Sequence, residues 1–449
     1  MNIYLDKRSP NDDHLYTTGD HIDGVVSVST ERDIEIEGIQ ILFRGVSQVE
    51  IEQLSIQRLS RLEHVFFSVH QPMAEMGNII PNVLKEEHNY DFRFKFVVPS
   101  KLMPQTCRHF RQNSHISQAH TLLPPTMGGV KLQMCSEGDD LSPECVKISY
   151  SIQATLFAVS KKADFPKTLA SMSKPLKIMP IVHEQPPIDR SNNGLYCLMK
   201  EKTMKLGLWR SPTGRLFVSA SQPQPIVISA TGHQRQECMG TIATIELKFS
   251  PGGDEQPPDL HSCTAGLSIY TFYSARQWED FPDSIFATTQ FGTGSRSIHQ
   301  KDIALSKICL KSVQWTRDVA ESIESTSLIC FTALVHVPIP TPRNKVLVPT
   351  FHACFVSRVY VLNISIAYHS TWAKASTSSV KLRMKYSHRH NASHLPKQTE
   401  KDAVVCMRNL ANWIAAVDEI RSWPEDLPQP LHALLNLARS YRPNLGSEG

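Results

Sequence analysis

The sequence lacks a long apolar run and a close cysteine pair, and each absence excludes a class of protein. No apolar segment of the 449 residues approaches the roughly 20 residues needed to cross a bilayer. The first residues are too polar for a secretory signal peptide, so we expect a cytoplasmic protein. The ten cysteines include no Cys-x-x-Cys pair, a spacing that often supplies zinc ligands. We therefore predict no metal site, no cofactor, and cysteines that are reduced and buried.

Signals of catalysis and of nucleic-acid binding are also missing. The sequence contains no Gly-x-Ser-x-Gly nucleophile elbow and no glycine-rich loop of the phosphate-binding kind. Its net charge of +4 is too small for a surface that is basic throughout. We expect a protein that is not an enzyme and does not bind nucleic acid.

What the sequence does contain is a repeated alternation of apolar and polar residues with a period of two. In the clearest example, Phe92, Phe94 and Phe96 alternate with charged residues. This pattern is typical of a strand with one face in a core and the other in water. It recurs at 147–157, 243–249 and 359–368, with glycine and proline turns between the runs. Many such strands and few helices predict antiparallel β-sandwiches. The pattern of residues 51–67 fits a helix or a strand, and both remain open.

A proline-rich segment divides the chain near its middle. Prolines 175, 180, 186 and 187 precede a polar run that ends at residue 193, and proline resists both helix and central strand. We predict a first sandwich over residues 1–180, a hinge over 181–193, a second sandwich over 194–387, and a linker with a helical tail over 388–449. The apolar residues of 400–421 recur at helical spacing.

Two groups of residues are candidate contact sites. The first is basic and could hold anionic lipid headgroups, inositol phosphates or phosphorylated tails; its members are Lys161, Lys162, Lys200, Lys202, Lys205 and Arg210. The alternative is a solvated surface. The second is the apolar face of the tail helix, with Leu410, Trp413, Ile414 and Val417, which either binds a partner or packs on the second sandwich. Three histidines, His388, His390 and His394, lack acidic or cysteine neighbours, which favours a linker over a metal site.

A series of motifs resembles the arrestin family. Tyr16, a turn at Gly19-Asp20 and Gly24, interpreted as a bend or bulge, lead into a strand at 25–28. Further similar elements follow in order: a strand ending in glycine at 34–45, an aromatic strand with a proline at 90–99, a proline loop at 124–126, a long strand at 146–157, and the pair 347–351 and 357–364. The pattern is most similar to the fungal arrestin-related trafficking adaptors.

The resemblance implies a fold and a role. The fold is all-β, with two consecutive antiparallel immunoglobulin-like β-sandwiches (the arrestin fold), followed here by the short helical tail. The role is that of a non-enzymatic adaptor, recruited to the plasma membrane or endosomes, that binds cytoplasmic segments of membrane receptors or transporters for endocytosis, sorting or ubiquitin-dependent trafficking.

Two points about partners stay open at this stage. Many family members recruit HECT-type ubiquitin ligases through Pro-Pro-x-Tyr segments. The Pro-Pro pairs at 124–125, 186–187 and 257–258 all lack that tyrosine, so such a ligase is a candidate partner only by another route. The alternative role is that of a structural subunit in a retromer-like sorting or coat complex.

Overall fold

A computed structural model describes residues 1–6, 14–53, 58–72, 81–103, 106–128, 139–158, 167–181, 197–206, 211–229, 240–282, 295–320, 328–342, 345–369, 376–384 and 386–389. Within these ranges the chain is almost entirely β-strand, which confirms the all-β prediction. Residues 1–390 form one compact unit. The described ranges contain one α-helix, and its seven residues are too few to cross a bilayer.

The described part of the first half contains nine strands and the helix. In chain order these are β1 (Asn2–Leu5), β2 (Leu15–Tyr16), β3 (His21–Ser29), β4 (Ile34–Gln53), β5 (Arg58–His70), β6 (Val83–Leu84), β7 (Asn89–Val97), α1 (Ser114–His120), β8 (Val146–Ala158) and β9 (Lys167–Ile178). Segment 51–67, where helix and strand were both open, belongs to β4 and β5 on either side of residues 54–57, which are not described.

These strands form two sheets. The smaller has the order β1-β3-β7, and the larger has the order β2-β9-β8-β4-β5 with β6 added to the end of β4. All pairs are antiparallel except the short contact between β2 and β9. Residues of both sheets share one buried cluster, so the sheets pack face to face as a sandwich.

In the second half, the residues that the structure describes form twelve strands. They are β10 (Met199–Leu206), β11 (Ser211–Ala220), β12 (Ile226–Ser229), β13 (Thr241–Pro251), β14 (Asp259–Ser274), β15 (Arg296–Cys309), β16 (Thr316–Ala320), β17 (Leu328–Ile339), β18 (Phe351–His352), β19 (Val356–His369), β20 (Ser376–Met384) and β21 (Tyr386–Arg389). One sheet has the order β10-β11-β13-β17-β16. The other has the order β15-β14-β19-β18, with β20 also paired to β19. β12 and β21 form a separate parallel pair.

The alternating runs place their apolar residues in these cores, as predicted. Phe92, Phe94 and Phe96 are buried between the sheets of the first sandwich, and the same holds for the apolar positions of β8. The alternating residues of β13 and β19 occupy the second core. Strand β19 departs from simple alternation because residues 356–362 are buried on both faces.

Gly24 serves a different purpose from the predicted bend or bulge. It lies within β3, and the register to β1 and β7 shows no shift at this position, so that interpretation is wrong. A Cβ atom there would overlap the carbonyl oxygen of Tyr4 and would lie 2.5 Å from the ring of Phe94. Glycine is required because the neighbouring backbone and an aromatic ring both approach closely.

The predicted division of the chain falls mostly on residues that the structure does not describe. Hinge residues 182–193 and tail residues 390–449 lie outside the described ranges. Residues 388 and 389, assigned to the linker, belong to strand β21. The boundaries therefore remain predictions.

Candidate functional site

The two halves meet in a packed junction, formed by residues 106–128 and 139–142 of the first half and 273–280 and 345–358 of the second. Five residues of the second half belong to the buried cluster of the first sandwich: Val348, Phe351, Cys354, Phe355 and Val356. The ring of Phe355 lies 4.8 Å from the ring of His64 on β5. The first core is therefore completed by residues from far along the chain. Strand β19 is buried on both faces at its start because Val356 packs in this first core, whereas Val359 and Val361 pack in a separate cluster with Phe272 and Trp278.

A buried arginine links the halves at the centre of the junction. Arg358 on β19 is fully buried, and its guanidinium donates to the backbone oxygen of Asp140 at 3.0 Å and to Oγ of Ser142 at 2.8 Å. The carboxylate of Asp140 accepts from the backbone amides of Gly128 at 2.7 Å and Ser142 at 2.9 Å. A buried cation with these acceptors holds the 139–142 loop against β19, since an unpaired buried charge is costly.

The sequence led to no prediction of a buried charged residue, although the composition of strand β19 contains an indication of one. Arg358 is the single charged residue in the first half of β19, where Ser357 is the one other polar residue. Its acceptors lie more than 200 positions earlier in a loop, so the pattern could not identify them.

The junction also gathers two cysteines and two histidines. Cys107 and His109 lie in the loop before α1, His120 is the last residue of α1, and Cys354 lies in the turn between β18 and β19. Sγ of Cys107 is 3.1 Å from Nε2 of His109, 3.5 Å from Nδ1 of His120 and 3.5 Å from Sγ of Cys354. The distance from Cys354 Sγ to His120 Nδ1 is 3.8 Å. Cysteine and histidine are the side chains that most often hold zinc.

Helix α1 positions His120 for this contact. The side chain of Asn113 caps the helix by accepting from the amide of Ile116 at 3.0 Å, as helix starts require. Ile116 and His120 are one turn apart and both are buried, so they share the inward face. Asn113 also donates to the carboxylate of Asp280 at 3.2 Å, which anchors the helix to the second half. Sequence reasoning did not predict this short helix, although Asn113 is a strong capping residue.

Burial controls the protonation of His120 and Cys354. It is the largest cause that lowers the pKa of His120 to about 3, and the electrostatic effects of His109 and Arg111 contribute to that value in the same direction. His120 is therefore neutral at physiological pH. Burial also raises the pKa of the Cys354 thiol, and the neighbouring Cys107 adds to that shift.

Beside the cluster, the junction opens into a cleft of about 440 Å³. Residues from both halves line it, among them Leu62, His109, Phe110, Arg276, Glu279 and Phe355. Phe110 is 70% exposed, although aromatic side chains are usually buried. An exposed aromatic residue beside charged groups of both signs is suited to hold an extended peptide segment.

The structure describes only part of the predicted basic site. Lys161, Lys162 and Arg210 lie outside the described ranges, and Lys205 is described only as part of β10. Lys200 is exposed on β10. Lys202 donates from Nζ to the backbone oxygen of Thr377 at 3.1 Å and lies 5.6 Å from the centre of the Tyr368 ring. Lys202 therefore connects the two sheets of the second sandwich. Of the predicted basic site, the structure shows only that Lys200, Lys202 and Lys205 lie on the same strand, β10.

The other predicted sites fall outside the described part of the chain. This applies to the proposed partner-binding residues Leu410, Trp413, Ile414 and Val417 and to the histidines at 390 and 394. His388 is described as a strand residue of β21 without its side chain. The proposals on these residues remain predictions.

Comparison with known proteins gives one family match. Residues 1–165 match the family model described as Arrestin (or S-antigen), N-terminal domain. The matched segment contains strands β1 to β8 and three members of the cysteine and histidine cluster, Cys107, His109 and His120. None of the curated proteins compared with the chain matches it. The first sandwich is therefore arrestin-like, as its motifs indicated, and the sandwich architecture of the described chain is consistent with the arrestin fold.

Proposed function

We propose that this protein is a non-enzymatic, arrestin-like adaptor that binds cytoplasmic segments of membrane receptors or transporters. The observation that carries the proposal is an arrestin-like first sandwich, packed across a junction against a second sandwich. Two sandwiches that are packed together, with a cleft lined by residues of both halves, offer a surface that neither sandwich has alone. Its role would lie in endocytosis, sorting or ubiquitin-dependent trafficking.

The proposal also covers where the protein acts and how the chain is organised. The protein would be cytoplasmic and recruited peripherally to the plasma membrane or endosomes, as the fungal arrestin-related adaptors are expected to be. The chain would divide at a hinge within residues 181–193. Because no Pro-Pro-x-Tyr segment is present, a HECT-type ubiquitin ligase would be recruited by another route, for which the helical tail around Trp413 is our candidate.

The partner segment is proposed to lie in the junction cleft, with Phe110 as its apolar anchor. Exposed aromatic residues at the centre of an interface contribute most of the binding free energy in many complexes. Lys200 on the edge strand β10 is a second candidate contact, because an exposed cation can interact with anionic lipid headgroups, inositol phosphates or phosphorylated tails.

Capture from detergent-solubilised membranes tests the proposal. The tagged full chain should recover a receptor or transporter, and Phe110→Ser should reduce that recovery at least about fivefold if the ring is an anchor. Leu334→Ser is the matched control, since Leu334 is 59% exposed on β17, away from the cleft, and it should recover the same partner as the native chain.

Two outcomes would contradict the adaptor proposal. Capture of no membrane protein or sorting component would refute it. Light scattering after size exclusion of native extract could instead show one large complex of constant composition, and this would favour the structural subunit of a retromer-like coat.

A further inference from the structure

We propose that Cys107, His109, His120 and Cys354 bind one zinc ion that joins the first sandwich to the second. The sequence led us to predict no metal site because close cysteine pairs are absent. The structure does not test that prediction, but it brings together four side chains that the sequence separates by up to 247 positions. All four donor atoms lie within 4.8 Å of one another.

The distances among three of the donor atoms match the edges of a zinc tetrahedron. With Zn–S bonds of about 2.3 Å and Zn–N bonds of about 2.0–2.1 Å, a tetrahedral ion separates two sulfurs by about 3.8 Å and a sulfur from a nitrogen by about 3.6 Å. The sulfurs of Cys107 and Cys354 are 3.5 Å apart. Nδ1 of His120 lies 3.5 Å from Cys107 and 3.8 Å from Cys354. These three atoms fit a zinc ion as they stand. The fourth ligand atom, Nε2 of His109, lies 3.1 Å from Sγ of Cys107, so this pair would have to separate by about 0.5 Å to reach the tetrahedral distance.

The ring of His109 is already oriented as a ligand. Its Nδ1 lies 2.8 Å from the backbone oxygen of Phe110, so Nδ1 carries the proton and donates it to that oxygen. Nε2 then presents its lone pair, and it is Nε2 that faces Cys107 at 3.1 Å. A hydrogen bond from the far ring nitrogen to a carbonyl oxygen is the usual support of a metal-bound histidine.

The charge balance also suits a buried site. Zinc binding would release the two thiol protons, and two thiolates with two neutral imidazoles around Zn²⁺ carry no net charge. Burying such a neutral centre avoids the desolvation cost of an isolated ion. The competing arrangement is a hydrogen-bonded group of two thiols and two imidazoles, which needs no metal.

Four protein ligands leave no open position, so the site would be structural and not catalytic. Three of the ligands belong to the first half and one to the turn between β18 and β19, so the ion would connect the loop before α1, α1 itself and the second sandwich. The proposal is independent of the adaptor role, because a clamp of this kind would also suit a structural subunit.

Metal analysis of the purified full chain tests the proposal. Protein prepared under reducing conditions without chelator should contain about one zinc ion per chain, and Cys107→Ser or Cys354→Ser should lower this more than about tenfold. Cys330→Ser is the matched control and should retain the metal, since Cys330 has the same 8% exposure as Cys354 and lies in the same half of the chain. Replacement by cobalt should produce the intense visible bands of a tetrahedral site and a thiolate-to-cobalt band, both weakened in His120→Asn.

Several results would overturn the proposal. These are a native chain that binds no zinc at micromolar concentration, octahedral cobalt spectra, iron in place of zinc, or full zinc content in Cys354→Ser. A disulfide between Cys107 and Cys354 in protein alkylated before purification would also overturn it. If a variant fails to fold, the zinc content and cobalt spectrum of the native chain still decide the question.

Discussion

The completion of the first core by the second half of the chain leads to a prediction about Phe351. This residue is 5% exposed on β18. It belongs to the buried cluster of the first sandwich although it lies 173 residues (351 − 178) beyond the end of β9, the last strand of that sandwich's larger sheet. Replacing Phe351 with alanine should therefore destabilise the first sandwich. A Phe side chain buries at least about 150 Å², which at about 25 cal/mol per Å² corresponds to about 4 kcal/mol. Measured Phe→Ala changes in cores, about 3–5 kcal/mol, agree with this value.

Native-state hydrogen exchange measures the effect strand by strand. The slowest amides of β4 and β8 exchange through unfolding of the sandwich, so a loss of about 4 kcal/mol should lower their protection about a thousandfold. The same experiment should show reduced protection in β14 and β19, because β18 pairs with β19.

Phe249→Ala provides the comparison. Phe249 is 1% exposed and lies in the core of the second sandwich alone, so its loss should reduce protection in β13 and β17 more than in β4 and β8. If Phe351→Ala left the protection of β4 and β8 at the native level, the packing argument for the junction would be wrong.

Three other predictions follow from the described contacts. Arg358→Ala should cost about 2–6 kcal/mol in urea unfolding, because it leaves two buried neutral acceptors unpaired at about 1–3 kcal/mol each, whereas the apolar Arg358→Met, which keeps most of the volume, should cost less; equal stability of Arg358→Ala and the native chain would contradict this. Burial raises the pKa of Tyr150 well above its ordinary value of 10 and that of Tyr360 to about 12. The folded state thus keeps protons that the unfolded state loses, so stability should be complete below about pH 10 and decline toward pH 12, as followed by tyrosinate absorbance, with a flat profile as the contrary result. Gly128→Ala should cost more than about 2 kcal/mol by thermal unfolding, since φ is +68° and the new Cβ would overlap the carbonyl oxygen of Val146; an unchanged midpoint would refute the steric argument.

The faces of the strands could be predicted from the sequence alone. Alternation is a local property, because successive side chains of any strand point to opposite sides whatever the rest of the chain does. Phe92, Phe94 and Phe96 accordingly lie in the core, and so do the alternating residues of β13. The motifs at 16–28, 34–45 and 90–99 likewise lie within the segment that matches the arrestin N-terminal domain.

Local patterns were less informative where one residue type serves two purposes. The lysines of β10 predict an anion site, which the structure does not test, and Lys202 also reaches across to β20, where its Nζ donates to a backbone oxygen. Gly24 indicated a bend, but it lies in a regular strand that another backbone approaches closely. In both cases the deciding neighbour belongs to a different strand, and its distance depends on how the sheets are assembled.

The sequence by itself determined the all-β class, the inward faces of the strands and the arrestin-like character of the first sandwich, because each of these depends on residues that are close together in the sequence. Only the tertiary structure decided that Phe351 completes the first core, that Arg358 is buried against the 139–142 loop, and that Cys354 meets Cys107 and His120. Chain topology brings Arg358 and Cys354 to their partners over separations of more than 200 positions, and Phe351 lies 173 positions beyond the end of β9, whereas a local pattern describes only neighbours along the chain.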